Sequence, residues 1–179
     1  MLKLTIPDCE YWDYRTECFE QIPGAVIELE HNLQAISKWE MKWEKPFLSD
    51  KGMNIDEFRD YVRCMTLTED VDPRVYRNLS IDNINAINDY MAKKMTATWF
   101  KEKPKTGGGG KVITSEVIYY WMTELGIPFE CDTWHFNRLM TLIRVAGESQ
   151  NPKKMSKKDI FSQNKSLNAA RRAKRGTKG

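Results

Sequence analysis

The stretch SEVIYYWMTELGIPFECDTWHFNRLMTLIRVA, residues 115–146, predicts two amphipathic helices that fold back on each other around a Gly-Ile-Pro corner. Ser115 is a suitable N-cap for the first helix and Asp132 for the second. Gly126 suits the left-handed end of a helix, and Pro128 prevents that helix from resuming. The second helix is predicted to bury one face, anchored by Trp134 and Leu139 and completed by Phe136, Met140, Leu142, Ile143 and Ala146. Such an apolar hairpin must pack against the rest of the chain or against another protein.

Length and composition limit the class of protein to which this chain can belong. The chain has 179 residues, enough for one domain, and 41% of them are apolar. No apolar run approaches the roughly 18 residues that a membrane span needs. The segment Met1–Ile6 lacks the basic flank and long apolar region of a signal peptide. We therefore expect a soluble globular protein of the cytoplasm that does not associate with membranes.

Alternating or β-prone residues predict four strands, at residues 2–6, 25–30, 96–100 and 111–114. These strands are expected to form one small antiparallel sheet. The sequence CEYWDYRTECFEQIP, residues 9–23, is predicted to be an aromatic and acidic connection between the first two strands.

Helical spacing predicts the remaining elements. One helix follows Asn32 and ends before Pro46, and another covers residues 55–65. Asp72, followed by proline, opens a short helical turn, and Ser80 caps a fourth helix. The predicted fold class is α+β: a mostly helical single domain of about five helices, with a small antiparallel sheet and a basic C-terminal helix.

Charge divides the chain into two parts. Residues 1–150 carry 18 basic and 24 acidic residues, net −6, whereas residues 151–179 carry ten basic residues and one acid, net +9. Opposite signs indicate a segment with its own partner. We therefore predict a globular domain over 1–150 and a basic helical extension over 151–179, capped by Ser156 and ended by Gly176. A solvated helix and a contact with an acidic partner or nucleic acid both account for this charge.

No pattern indicates a catalytic, metal or cofactor site. Four glycines, Gly107–Gly110, precede Lys111, but a phosphate-binding loop would continue with Ser or Thr into a helix, so a flexible linker is predicted. No C-x-x-C spacing occurs among the cysteines, which are predicted to be reduced, buried hydrophobes: Cys9, Cys18, Cys64 and Cys131.

Two residue pairs remain candidates for function. His31 and His135 have no acid or nucleophile at an interpretable spacing, and His135 is predicted to be a structural hydrogen-bonding residue. Trp39 and Trp43 lie one helical turn apart, which is typical of a binding epitope and equally of a helix face that packs on a core.

Most of the chain resembles a family of tailed-phage proteins described as tail assembly chaperones. The resemblance lies in LEHNLQAISKWEMKWEKPFL (29–48), ATWF (97–100), VITSEVIYYWMTELGIPFECDTWHFNRLMTLIRV (112–145) and KKMSKKDIFSQNKSLNAARRAKRGTKG (153–179).

Residues 118–142 are also similar to a helix, Gly-Ile turn and aromatic helix of tail chaperones from long-tailed phages of Gram-positive bacteria. In this chain, Gly126-Ile127 correspond to the turn and Trp134-His135-Phe136 to the aromatic helix. Pro128 departs from the pattern, because an acid follows Gly-Ile in the family, and the long basic extension is also absent from its shorter members.

The resemblance implies a protein without enzymatic activity. Tail assembly chaperones coat the tape measure protein in the host cytoplasm, keep it soluble, help to recruit tail tube protein and leave before the virion is complete. Self-association is also expected. The candidate partner-binding residues are Trp39, Trp43, Trp134, Phe136, Arg138, Lys153, Lys154, Lys157, Lys158, Arg171, Arg172, Lys174 and Arg175.

Two other classes stay open. A virion structural protein of the tail or head-tail connector would lay the basic segment across acidic neighbours. A nucleic-acid-binding protein would use the same segment on phosphates, but without aromatic residues between the basic ones its binding would be non-specific.

Overall fold

Two short antiparallel sheets and five α-helices form the described part of the chain, which comprises residues 1–49, 52–100, 112–150, 161–162, 164–168 and 171 of a computed structural model. The chain divides into two compact units, Met1–Val145 and Ala146–Gly179. The fold is α+β with helix predominating, which confirms the predicted fold class. The predicted glycine linker, Ser156 and Gly176 lie outside the described residues.

The first sheet pairs β1 (Leu2–Ile6) with β4 (Ala25–Leu29) in antiparallel register, Leu2 opposite Leu29 and Ile6 opposite Ala25. Alternate residues of a strand point to opposite faces, so Leu4 and Ile6 of β1 face the core together with Ile27 and Leu29 of β4. The strands predicted at 2–6 and 25–30 are confirmed.

The second sheet is a β-hairpin where only a connection was predicted. β2 (Cys9–Asp13) pairs with β3 (Cys18–Ile22), and Trp12 stands directly opposite Phe19. The sequence gives no hairpin signal because the turn, residues 14–17, contains no Gly, Asn or Pro. Glu17 instead takes the left-handed conformation, with φ of 52°.

The other two predicted strands are wrong. Residues 96–100 and 112–114 belong to neither strand nor helix, and residue 111 lies outside the described part. A β-prone run needs a partner, and the outer edge of β4 is already bonded to the chain after α2: Glu30 N donates to Met65 O and Leu67 N to Glu28 O. The aromatic residues of 96–100 contact cations instead, with Lys94 4.2 Å from the Trp99 ring centroid.

The first three helices agree with the prediction, because each begins at a local capping residue. α1 (Leu33–Trp43) is capped by Asn32, α2 (Ile55–Met65) by Asn54, and α3 (Ile81–Ala92) by Ser80. A 3₁₀ helix, Pro73–Asn78, forms the predicted turn after Asp72.

The helical hairpin consists of α4 (Ser115–Glu124), a second 3₁₀ helix (Phe129–Thr133) and α5 (Phe136–Gln150). Gly126 has φ of 64°, the left-handed helix end that was predicted. Both predicted caps are wrong. Ser115 is the first residue of α4, and its backbone N–H donates to the buried carboxylate of Glu40 at 2.7 Å. Asp132 lies buried in the second 3₁₀ helix, where it accepts from Gln34 at 3.0 Å.

The two predicted anchors of α5 differ in burial. Leu139 has no exposed surface, as predicted. Trp134 is only half-buried, and the guanidinium carbon of Arg138 lies 4.0 Å from its ring centroid. Trp134 is therefore a surface stacking partner of Arg138, and its predicted role as a core anchor is wrong.

In the second unit, residues 146–150 belong to α5, and the described residues 161–162, 164–168 and 171 are helical. All of the latter are exposed, including Phe161 and Leu167. Their conformation agrees with the basic helix that the sequence predicts.

Replacing Leu139 by alanine is expected to lower the free energy of unfolding by about 2 to 5 kcal/mol, because a fully buried leucine leaves a cavity. Leu142→Ala in the same helix is the matched control and should cost less, since Leu142 is half-buried. Urea denaturation of both variants measures the difference. Equal losses would place Leu139 outside the core.

Candidate functional site

An apolar groove of about 640 Å³ lies beside the end of α1 and the start of α2. Its volume is typical of ligand pockets, which span about 300 to 1,000 Å³. The groove is lined by Trp39, Lys45, Pro46, Phe47, Ser49, Gly52, Met53, Asn54, Glu57 and Val112. All of these residues except Val112 lie within residues 39–57, and folding adds Val112 from a distant part of the chain.

The floor of the groove is rigid. Trp39 is 2% exposed and its indole N–H donates to the carbonyl oxygen of Glu57 at 2.9 Å. The Phe47 ring stands edge-on to Trp39, with 5.5 Å between centroids, and packs on Tyr61 at 4.3 Å. An ion pair between Lys45 and Glu57 lies at the same groove. Trp39 is therefore a core residue whose ring lies at the floor of the groove.

Trp43 lies in a second, polar cleft of about 300 Å³. Its indole N–H donates to Asp60 at 2.9 Å, and the same carboxylate accepts from Lys42 at 2.6 Å and from Arg63 at 3.0 Å. Burial alone would raise the pKa of Asp60, but these hydrogen bonds outweigh it and the pKa is lowered. Asp60 of α2 thus binds Lys42 and Trp43 of α1, and Trp43 serves to hold α1 against α2.

The remaining predicted partner-binding residues do not form one site. Phe136 is 6% exposed, so its predicted place on a binding surface is wrong: its ring packs in the core, 5.5 Å from the His31 ring. Trp134 and Arg138 stack on each other at the surface. Arg171 is exposed on a helical segment. Seven basic residues lie outside the described part of the chain: Lys153, Lys154, Lys157, Lys158, Arg172, Lys174 and Arg175.

The two histidines meet in a buried cluster that we call the histidine junction. Their ring centroids lie 5.3 Å apart. His31 Nδ1 shares a hydrogen bond with the Tyr61 hydroxyl at 2.6 Å, and His135 Nε2 lies 3.2 Å from the carbonyl oxygen of Tyr90. Because a carbonyl can only accept, His135 carries its proton on Nε2. His135 is therefore a structural hydrogen-bonding residue, as predicted.

Burial determines the charge state of this junction. It lowers the pKa of His31 to about 3, with a smaller contribution from the neighbouring His135. Burial also lowers the pKa of His135, against the opposing effects of the Tyr90 carbonyl and Glu30. Both rings are thus neutral at physiological pH, and each nitrogen bond described above is one between uncharged groups.

The hairpin of residues 9–22, which we call the aromatic hairpin, is a surface that sequence reasoning missed. Trp12 and Phe19 face each other across its strands, with 4.9 Å between ring centroids. Phe19 is 66% exposed and Tyr14 81% exposed, although large aromatic side chains are usually buried. The density of aromatic residues in CEYWDYRTECF was the available signal. Exposed aromatic clusters of this kind mark contact surfaces.

The cysteines do not share one environment. Cys131 is buried as predicted, Cys9 and Cys64 are partly buried, and Cys18 is exposed, so the prediction of four buried cysteines is wrong. Cys18 belongs to the aromatic hairpin, where its thiol donates to the carbonyl oxygen of Thr16 at 3.0 Å.

Within the described ranges, no group of three or more His, Cys, Asp or Glu side chains is placed to hold a metal ion. Among the same residues, no helix combines the length and the apolar character needed to cross a bilayer.

No protein-family model, curated protein or solved structure shows significant similarity to this chain. The resemblance to tail assembly chaperones therefore depends on the residues quoted above, and function has to be argued from the surfaces just described.

The histidine junction predicts loss of stability in mild acid. Unfolded histidines bind protons with a pKa near 6.5, whereas His31 and His135 have lowered pKa values when folded. Below pH 6.5 the unfolded chain consequently binds more protons, and the free energy of unfolding should fall as pH falls, by up to about 1.4 kcal/mol per pH unit for each histidine. Urea denaturation at pH 7.5, 6.5, 5.5 and 5 measures this slope.

Carboxylates stay largely ionised above about pH 5, so this range isolates the histidines. The ring NMR signals of His31 in the folded protein provide the control and should not titrate over the same range, since the pKa of His31 is about 3. A stability that does not change between pH 7.5 and 5 would contradict buried, neutral histidines.

Proposed function

We propose that this chain is a phage tail assembly chaperone that binds the tape measure protein in the host cytoplasm, keeps it soluble during tail morphogenesis and helps to recruit tail tube protein. Its role is binding rather than catalysis. The observation that carries the proposal is the apolar groove between the end of α1 and the start of α2.

The chemistry of the groove suits an amphipathic helix. Phe47 and Met53, which are partly exposed, provide apolar surface, and Val112, which is 64% exposed, extends it at the rim. Helix-in-groove recognition inserts two or three apolar side chains spaced three or four residues apart into such a cavity. A volume of about 640 Å³ provides room for that set.

The groove combines a fixed floor with an adaptable wall. Trp39 is held by its bond to the Glu57 carbonyl oxygen, so the floor needs no rearrangement on binding. Met53, in contrast, has an unbranched side chain that adjusts to partners of different shape. A long helical protein such as a tape measure protein presents many related segments, and this combination accepts several of them.

The charged rim supports the same proposal. Lys45 is exposed and pairs at the groove with the buried carboxylate of Glu57, and its ammonium can also pair with an acid beside the apolar stripe of a bound helix. Charged residues at the rim of an interface contribute mainly to specificity and orientation.

The proposal predicts the effect of polar substitutions in the groove. Met53→Gln together with Val112→Thr keeps side-chain volume but makes two lining residues polar. Binding to tape measure segments should weaken about tenfold, because a polar group buried without a partner is costly. Isothermal titration calorimetry with purified segments measures the change.

Met41→Gln is the matched control, since Met41 is 79% exposed on α1 and does not line the groove. It should bind as the unaltered protein does. Equal affinity of the groove variant and the control would reject the groove as the binding site.

Composition of the virion separates this proposal from a structural role. A chaperone leaves before the virion is complete, so mass spectrometry of purified virions should detect few or no peptides of this chain. Abundant peptides would favour a tail or head-tail connector subunit instead.

A further inference from the structure

We infer that the aromatic hairpin, residues 9–22, is a docking site for the basic segment, residues 151–179, of a second copy of this chain. The inference concerns self-association and does not depend on which protein occupies the apolar groove.

One face of the aromatic hairpin is built to bind a cation. Trp12 and Phe19 form a cross-strand pair, and the next pair on the same face is Glu10 with Gln21. A basic side chain lying on the Trp12 ring would therefore have the Glu10 carboxylate beside it. Aromatic faces attract cations, and arginine in particular stacks on them.

The charge of the hairpin supports the same partner. Residues 9–22 contain four acids, Glu10, Asp13, Glu17 and Glu20, and one base, Arg15, for a net charge of −3. Glu20 forms an ion pair with Arg74 at 2.5 Å. In the described part of the chain, no ion pair is formed by Glu10, Asp13 or Glu17. Their charges are available to an incoming basic segment.

Elsewhere the same chain places cations on two partly or fully exposed tryptophan rings. Lys94 lies 4.2 Å from the Trp99 ring centroid, and the Arg138 guanidinium lies 4.0 Å from that of Trp134. Within the described residues, the Trp12 ring has no such cation.

The basic segment has the complementary chemistry. It carries ten basic residues and one acid, net +9, including the pair Arg171-Arg172. Its described residues also expose apolar side chains, Phe161 by 73% and Leu167 by 49%. Cations interspersed with apolar side chains match a surface of acids interspersed with aromatic rings. Because every copy carries both surfaces, one copy can dock on the next.

Mixing two variants tests this inference. The hairpin variant carries Glu10→Lys and Glu17→Lys, and the segment variant carries Arg171→Glu, Arg172→Glu, Lys174→Glu and Arg175→Glu. Sedimentation equilibrium at about 0.15 M salt should show self-association of the unaltered protein, with a dissociation constant on the order of tenfold higher for each variant alone. An equimolar mixture should associate again, because it contains one unaltered hairpin and one unaltered basic segment.

Glu69→Lys with Glu124→Lys is the matched control, since it changes the net charge equally at exposed acids outside the hairpin. It should associate as the unaltered protein does. Thermal melting checks the fold of every variant, and Phe19→Ser, at a 66% exposed side chain, replaces the hairpin variant if that one does not fold.

An unaltered protein that stays monomeric would overturn the inference, as would self-association that both variants retain or that mixing does not restore. Docking of the segment on the hairpin of the same chain would also overturn it. That outcome would appear as a monomer whose tryptophan fluorescence changes when the segment charges are reversed.

Discussion

The backbone contact between residues 31–32 and residues 135–136 joins the beginning and end of the first unit, and the other elements are arranged around it. Phe136 N donates to His31 O at 2.7 Å, and Asn32 and His135 form an isolated β-bridge. The side chains continue the contact, since His31 reaches Tyr61 of α2 and His135 reaches the end of α3. Both rings are neutral because burial lowers the pKa of each. Strand β4 and four helices are thereby tied to one small polar cluster.

This arrangement explains how aromatic residues are divided between core and surface. Trp39 and Phe136, which lie on the α1 and α5 faces that meet the junction, are almost fully buried. The aromatic hairpin forms a sheet separate from β1 and β4, and its Trp12 and Phe19 stay partly exposed. The groove has an intermediate position, because its floor is core and its rim is surface. The two surfaces proposed for recognition thus lie where the packing of the core ends.

Local signals made part of this fold predictable. Asn32 and Ser80 cap helices within three residues of themselves, so the starts of α1 and α3 follow from the sequence. The aromatic hairpin could not be predicted, because its turn uses Glu17 where a glycine would have marked it. The separate roles of Trp39 and Trp43 were equally hidden, since spacing of four residues is the same for a core face and a binding face. The groove includes Val112, which folding brings to residues 39–57, and no local pattern in the sequence records that contact.

The hydrogen bonds of Glu40 join two parts of the first unit that are distant in sequence. Its carboxylate accepts from the Ser115 N–H at 2.7 Å and from the Phe47 N–H at 2.8 Å, so a residue of α1 caps a helix 75 positions later. Thr114 supplies no side-chain cap of its own. A fragment containing only the helical hairpin would begin with unsatisfied amide groups, and a fragment ending at Phe100 would bury a carboxylate without its second donor. Dividing the first unit between α3 and α4 therefore removes the cap of α4 and one donor to Glu40, at a cost of about 1 to 3 kcal/mol.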